Sequence, residues 1–205
     1  SWGGEPSFEA MPVREPGADE VQVSVEACGV GLTVLNCING DLGDDPAQLP
    51  RVPGHEYVGS VVAAGPGVSE DLVGRRIAAY FYLSCGECDQ CLGDHEPRCR
   101  RFSGYLGGHR DGGYAPLAVL PERNAIVLPE QIDAVPATVV ADAVATPVHV
   151  CRTRARLEPG DRAVVIGAAG GIGIHLAQVA RICGAEVLGI DAAESKLAGL
   201  EHLGI

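Results

Sequence analysis

Ala163-Val164-Val165-Ile166-Gly167-Ala168-Ala169-Gly170-Gly171-Ile172-Gly173 decides how the second half of this chain folds. The apolar run 163–166 reads as a buried strand, and the glycines after it read as a turn that opens a helix. Downstream, Ile172, Leu176, Val179 and Ala180 recur at helical spacing, and Glu186–Ile190 reads as a second strand. Strand, helix and strand in that order form a βαβ unit. The glycines let backbone N–H groups approach a pyrophosphate at the positive end of the helix. Gly170, Gly171, Ile172 and Gly173 are therefore candidate cofactor contacts, and Gly173 also lets helix and strand pack closely. Asp191 follows Gly173 by 18 residues, at the end of the second strand. A carboxylate there accepts hydrogen bonds from ribose hydroxyls and repels a 2′-phosphate, which favours NAD over NADP. No Arg follows within five residues to receive such a phosphate. The competing reading makes Asp191 a simple helix N-cap for the segment starting at Ala192.

Upstream of Pro129 the texture is different. Val21, Val23 and Val25 alternate with Gln22, Ser24 and Glu26, the period-two pattern of a half-buried strand after a Pro16-Gly17 turn. Similar short runs at 58–64, 76–81, 115–119 and 125–128 are separated by Gly- and Pro-rich punctuation. The expected division is a β-rich, barrel-like domain over 1–128 and an α/β domain over 129–205.

Inside the β-rich half, Cys85, Cys88, Cys91 and Cys99 form a Cys-x2-Cys-x2-Cys-x7-Cys run in a loop, 84–100, rich in Gly, Asp and Pro. Four thiolates so close can surround one zinc ion tetrahedrally and leave no open position, which makes the site structural. An iron–sulfur cluster is the rival reading. Cys28, Cys37, Cys151 and Cys183 have no such spacing and read as small buried hydrophobes.

Composition removes other classes. The 205 residues carry 15 Lys plus Arg against 27 Asp plus Glu, a net charge of −12, which argues against nucleic acid or anionic lipid as partner. Apolar stretches are too short and too interrupted for a membrane span. Residues 1–17 lack the charged head and apolar core of a signal peptide, so the expected setting is cytoplasmic, with reduced thiols.

A β-rich half bearing this cysteine lobe, followed by this βαβ unit, resembles the medium-chain dehydrogenase/reductase superfamily in its zinc-containing alcohol dehydrogenase branch. Gly54-His55-Glu56 looks like that family's Gly-His-Glu motif, and Gly74-Arg75-Arg76-Ile77-Ala78 resembles its Gly-Asp-Arg-Val stretch. The resemblance implies a GroES-like N-terminal domain, an incomplete Rossmann doubly wound domain, and hydride transfer between NAD(H) and a small alcohol or carbonyl substrate. It further implies a catalytic zinc held by a Cys, by the counterpart of His55 and by a late ligand aligned with Asp142, with Glu56 close by. Thr33 matches the hydroxyl that hydrogen-bonds the reacting oxygen, and Thr146 a residue near the nicotinamide.

The family's first zinc ligand aligns with Gly31, which has no side chain. Ligand count therefore favours loss of the catalytic zinc, although His55, Glu56 and Asp142 could still offer an N/O/O set. Cys28, an odd number of positions away, is expected on the other face of a strand. Without that metal, zinc-independent reduction of an alkene conjugated to a carbonyl becomes the alternative activity, and a non-catalytic zinc- and nucleotide-binding module a third. No Met opens the chain, and a doubly wound sheet has about six strands where this one has two. The sequence reads as a fragment or truncated product, which weighs against activity of this chain alone. The full-length form is expected to be a homo-dimer or homo-tetramer.

Overall fold

The antiparallel alternation read at Val21, Val23 and Val25 becomes β1 (Glu20–Cys28) at the second position of a five-stranded sheet. With β2 (Tyr57–Ala64), β3 (Arg76–Ala79), β4 (Leu117–Pro121) and β5 (Ala125–Val127), the strand order is β4-β1-β2-β3-β5 and every pairing is antiparallel. This is a computed structural model, and it describes residues 4–41 and 45–205, without the Cys37 side chain.

Pleating sends alternate side chains to opposite faces. Val21, Val23, Tyr57, Val61, Ile77 and Leu120 enter the main core of one face, joined by Leu83 and Leu106. On the other face Val58 and Ala78 pack against Leu128 and Ala137. Irregular register at Gln22/Val23 and Val25/Ala27 bends β1 against β2, as β-bulges do. After β1 the chain turns into α1 (Leu32–Asn39).

Two compact units divide between Thr138 and Val139. Sequence texture put the change at Leu128. The short helix Ala134–Ala137 goes with the first unit because Ala137 is buried against Val58, Ala78 and Leu128.

The second unit opens on a distorted helical run. Ala145–Val148 is α-helical, whereas Val140–Val144 and His149–Ala155 on either side have wider π-type turns. Pro147, buried in the middle, has no N–H and its ring crowds the carbonyl four residues back, so the regular ladder cannot run through it. Then come β6 (Arg162–Ile166), α2 (Gly171–Ile182), β7 (Glu186–Ile190) and α3 (Glu194–His202), with β6 and β7 parallel. The apolar run was expected to make a buried strand, yet only one face of β6 is covered. Val165 packs with Ala168, Ala177 and Leu200, whereas Val164 and Ile166 are 59% and 82% exposed. Ile172 likewise lies exposed at the head of α2, whose buried face is Ala177, Val179 and Ala180. Among the described residues no helix is long and apolar enough to cross a membrane.

Candidate active site and metal centre

The cysteine lobe grows from a fixed base. Asn124, buried, donates through Nδ2 to the carbonyls of Tyr80 (2.7 Å) and Tyr82 (2.9 Å), which holds the chain after β3. Leu83 N–H donates to Gly104 O at 3.0 Å and Ser103 N–H to Leu83 O at 3.0 Å, closing the loop between them. Tyr82 Oη reaches Pro97 O at 3.1 Å, so an aromatic side chain braces the lobe from its root.

Within the lobe the four Sγ atoms of Cys85, Cys88, Cys91 and Cys99 lie within 4.8 Å of one another. Cys88 and Cys91 are 3.5 Å apart, and Cys85 and Cys91 3.9 Å. Zinc–sulfur bonds near 2.3 Å in a tetrahedron put sulfurs about 3.8 Å apart, so these residues fit zinc. Backbone N–H groups of Cys85 (3.2 Å) and Arg101 (3.4 Å) point at Cys99 Sγ. The backbone amide of Glu87 draws the Cys85 thiol down to about 6, and that of Arg100 lowers Cys88, because both favour a thiolate. Burial pushes Cys91 up to about 11. Arg100 is paired in fork fashion with Asp89, at 2.7 and 2.9 Å, which ties the two ends of the lobe together.

His55 is buried, with its ring edge-on to Phe81 at 5.2 Å between centroids. Glu56 O accepts from Gly29 N–H at 2.8 Å, which brings the end of β1 beside the Gly-His-Glu segment. Glu56 Oε2 would lie 2.9 Å from a Cβ on Gly29 and 4.0 Å from a Cβ on Gly31, the closest atom Gly31 would meet. The Gly31 position therefore has room for a side chain, and it faces Glu56.

Cys28 ends β1, so strand alternation does not extend to Gly31. Its thiol packs against the first core instead, and burial there raises it to about 12, with the Glu56 carboxylate adding to the rise. Cys151 is buried, Cys28 and Cys183 are half-buried, and the Cys37 side chain lies outside the described residues. Thr33 is exposed on α1. In the second unit Asp142 is half-buried in the turns Val140–Val144, and Thr146 is exposed in Ala145–Val148.

The glycine-rich turn sits at the C-terminal end of β6. Gly167 has φ of +76°, and its carbonyl oxygen would collide with any Cβ on Gly173. A Cβ on Gly171, in contrast, would meet nothing within 4 Å, so the head of α2 is open to an anionic group. Asp191 accepts from Ala169 N–H through Oδ2 (3.0 Å) and from Ala193 N–H through Oδ1 (3.1 Å). Both donors, Ala193 foremost, hold its carboxyl below the ordinary range. Asp191 is therefore not the helix cap of the competing reading: the N-cap of α3 is Ala193, without a side-chain cap bond, and Asp191 ties the glycine-rich turn to the segment that leads into α3. Sequence reasoning passed over Tyr114, whose Oη donates to Gly29 O at 3.0 Å; Gly112 and Gly113 just before it were the available signal.

The alcohol dehydrogenase GroES-like domain family matches residues 17–130. The chain is 34% identical to an alcohol dehydrogenase of Moraxella sp. over 200 residues, 96% of this chain and 57% of that protein. It therefore spans little more than half the length of that curated relative. A thermostable alcohol dehydrogenase from Pyrobaculum aerophilum, solved with cobalt and zinc bound, superposes with a TM-score of 0.84 at 32% identity, over 93% of this chain and 56% of the other. An NAD-dependent alcohol dehydrogenase gives 0.86 at 32% identity, over 96% and 57%.

Proposed function

This chain belongs to the zinc-type alcohol dehydrogenase branch of the medium-chain dehydrogenase/reductases, and from that premise we propose that its function is hydride transfer between NAD(H) and a small alcohol or carbonyl substrate. The observation that carries the reading is the turn 167–173, open at Gly171 and tied through Ala169 N–H to the Asp191 carboxylate. Gly170, Gly171, Ile172 and Gly173 are assigned to the pyrophosphate, and Asp191 to the adenosine ribose. Like charges oppose a 2′-phosphate beside Asp191, so NAD is the preferred dinucleotide. When bound, the dinucleotide supplies or accepts the hydride. Thr33 is assigned to donate a hydrogen bond to the reacting oxygen, and Thr146 to the nicotinamide end.

We assign one structural zinc, to Cys85, Cys88, Cys91 and Cys99, whose mutual distances suit it. The thiolate of the family's second zinc is missing at Gly31, which leaves His55, Glu56 and Asp142 as a weakened ligand set. That gap favours a second reading, zinc-independent reduction of an alkene conjugated to a carbonyl, in which hydrogen-bond donors such as Thr33 stabilise the enolate-like oxygen. A reducing, cytoplasmic setting and a homo-oligomeric full-length form complete the proposal. Oxidation or reduction of NAD(H) against a panel of alcohols and a panel of enones, with the protein at its relatives' length, separates the two readings. No turnover of either panel would leave a zinc- and nucleotide-binding module.

A further inference from the structure

The glycine before His55 is walled in. Gly54 has φ of +94°, and a Cβ on it would lie 2.6 Å from Tyr114 Cδ1 and 2.8 Å from Cys28 Sγ. From the other side, the Gly54 backbone leaves no space for a side chain at Gly107 or Gly112. Gly113 N–H donates to Gly54 O at 2.8 Å and Tyr114 N–H to Pro53 O at 3.0 Å. The far end of the same Tyr114 side chain donates to Gly29 O at 3.0 Å, and Gly29 N–H donates to Glu56 O at 2.8 Å. These contacts close a circuit that runs from Gly29 to Glu56, back along the chain to Gly54, across to Tyr114 and through its hydroxyl to Gly29 again. The Glu56 carboxylate lies against that circuit, over Gly29 and facing Gly31.

We propose that Tyr114 is a positioning residue, which sets the spacing between the Gly29-Val30-Gly31 segment and the Gly54-His55-Glu56 segment. The catalytic consequence rests on the function proposed above; the positioning itself does not. Tyr114 acts through backbone at both ends. Its ring fills the notch that only a glycine at position 54 leaves, and its hydroxyl holds the Gly29 carbonyl. The geometry also gives a reason for glycine in the Gly-His-Glu motif that is independent of any metal, since a side chain there would displace Tyr114.

The test is site-resolved hydrogen exchange on the purified chain, unmutated and as Tyr114→Phe and Tyr114→Ala. Tyr114→Phe keeps the ring over Gly54 and removes only the donor to Gly29 O, so the fold is retained. The Gly29 amide should exchange roughly tenfold faster, the worth of about one hydrogen bond. Amides of the β1–β2 ladder and of the cysteine lobe should be unchanged. Tyr114→Ala should extend the effect to the Gly113 amide. At the relatives' length, Tyr114→Phe should lower kcat about as much and leave the dinucleotide KM unchanged. Unchanged Gly29 exchange in Tyr114→Phe, or equal acceleration across the whole sheet, would overturn the inference. Absence of hydride transfer in the unmutated protein would overturn the proposed function, and the exchange result would still decide the role of Tyr114.

Discussion

Single residues carry the sharpest consequences. Gly31 has room for a side chain facing Glu56, so Gly31→Cys should supply a thiolate beside Glu56 and raise bound zinc from one ion per chain to two. Metal analysis reads this directly. Two zincs in the unmutated protein would mean that a second ion is held without the thiolate. Glu20 shows a different dependence, that of a structural charge. It receives hydrogen bonds from Arg14 at 2.7 Å and from Arg110 at 2.5 Å, and the Arg14 guanidinium foremost draws its carboxyl down to about 2. A depressed carboxylate contributes stability above its unfolded value, near 4.3, and that contribution fades as pH falls towards 2. Glu20→Gln should therefore cost about 1.5–3 kcal/mol at neutral pH and flatten the acid limb, seen in chemical denaturation across pH. Neither Gly31's outlook nor Tyr114's contacts were legible in the sequence. Each depends on a partner far along the chain, Glu56 for Gly31 and Gly29 for Tyr114, and the glycine pair before Tyr114 marks a close approach without naming what it approaches.

Elements built from local sequence were easier to read. The cysteine lobe and the glycine-rich turn declare themselves because their chemistry lies within a few residues, and β7 occupies the expected span Glu186–Ile190. The covering of β6 was less legible, since a run of Val and Ile reads as buried whether one face is packed or two. The π-type turns beside Pro147 were missed for a related reason, because apolar composition does not report where the hydrogen-bond ladder widens. Local construction also predicts local failure. Cys91→Ser should release the zinc and loosen 84–100, while 167–191 keeps its protection from hydrogen exchange, because binding energy at such a site is folding energy for the lobe alone. Gly173→Ala should drive the head of α2 away from the Gly167 carbonyl. Overpacking of this kind costs about 1–3 kcal/mol. Calorimetry of NAD binding should show affinity falling about tenfold or more, with zinc content unchanged.

At the scale of the molecule, two units of different construction share one chain. The first is an antiparallel sheet with a core on each face and a cysteine lobe rooted in the chain that follows β3. The second is a parallel pair whose turn is held by Asp191. Sequence texture separated them, but put the seam at Leu128 because it weighed composition, whereas packing puts it at Thr138 because Ala137 is buried against the first sheet. The family resemblance added what neither unit spells out alone, the likeness of Gly54-His55-Glu56 to a metal-binding motif and the absent thiolate at Gly31. NAD-linked hydride transfer is tested by following formation of NADH from NAD and of NADPH from NADP across an alcohol panel, using the protein at its relatives' length. Reduction of NAD with at least one alcohol is expected, and markedly weaker use of NADP because of Asp191. Equal or better use of NADP, or binding of neither dinucleotide, would contradict it.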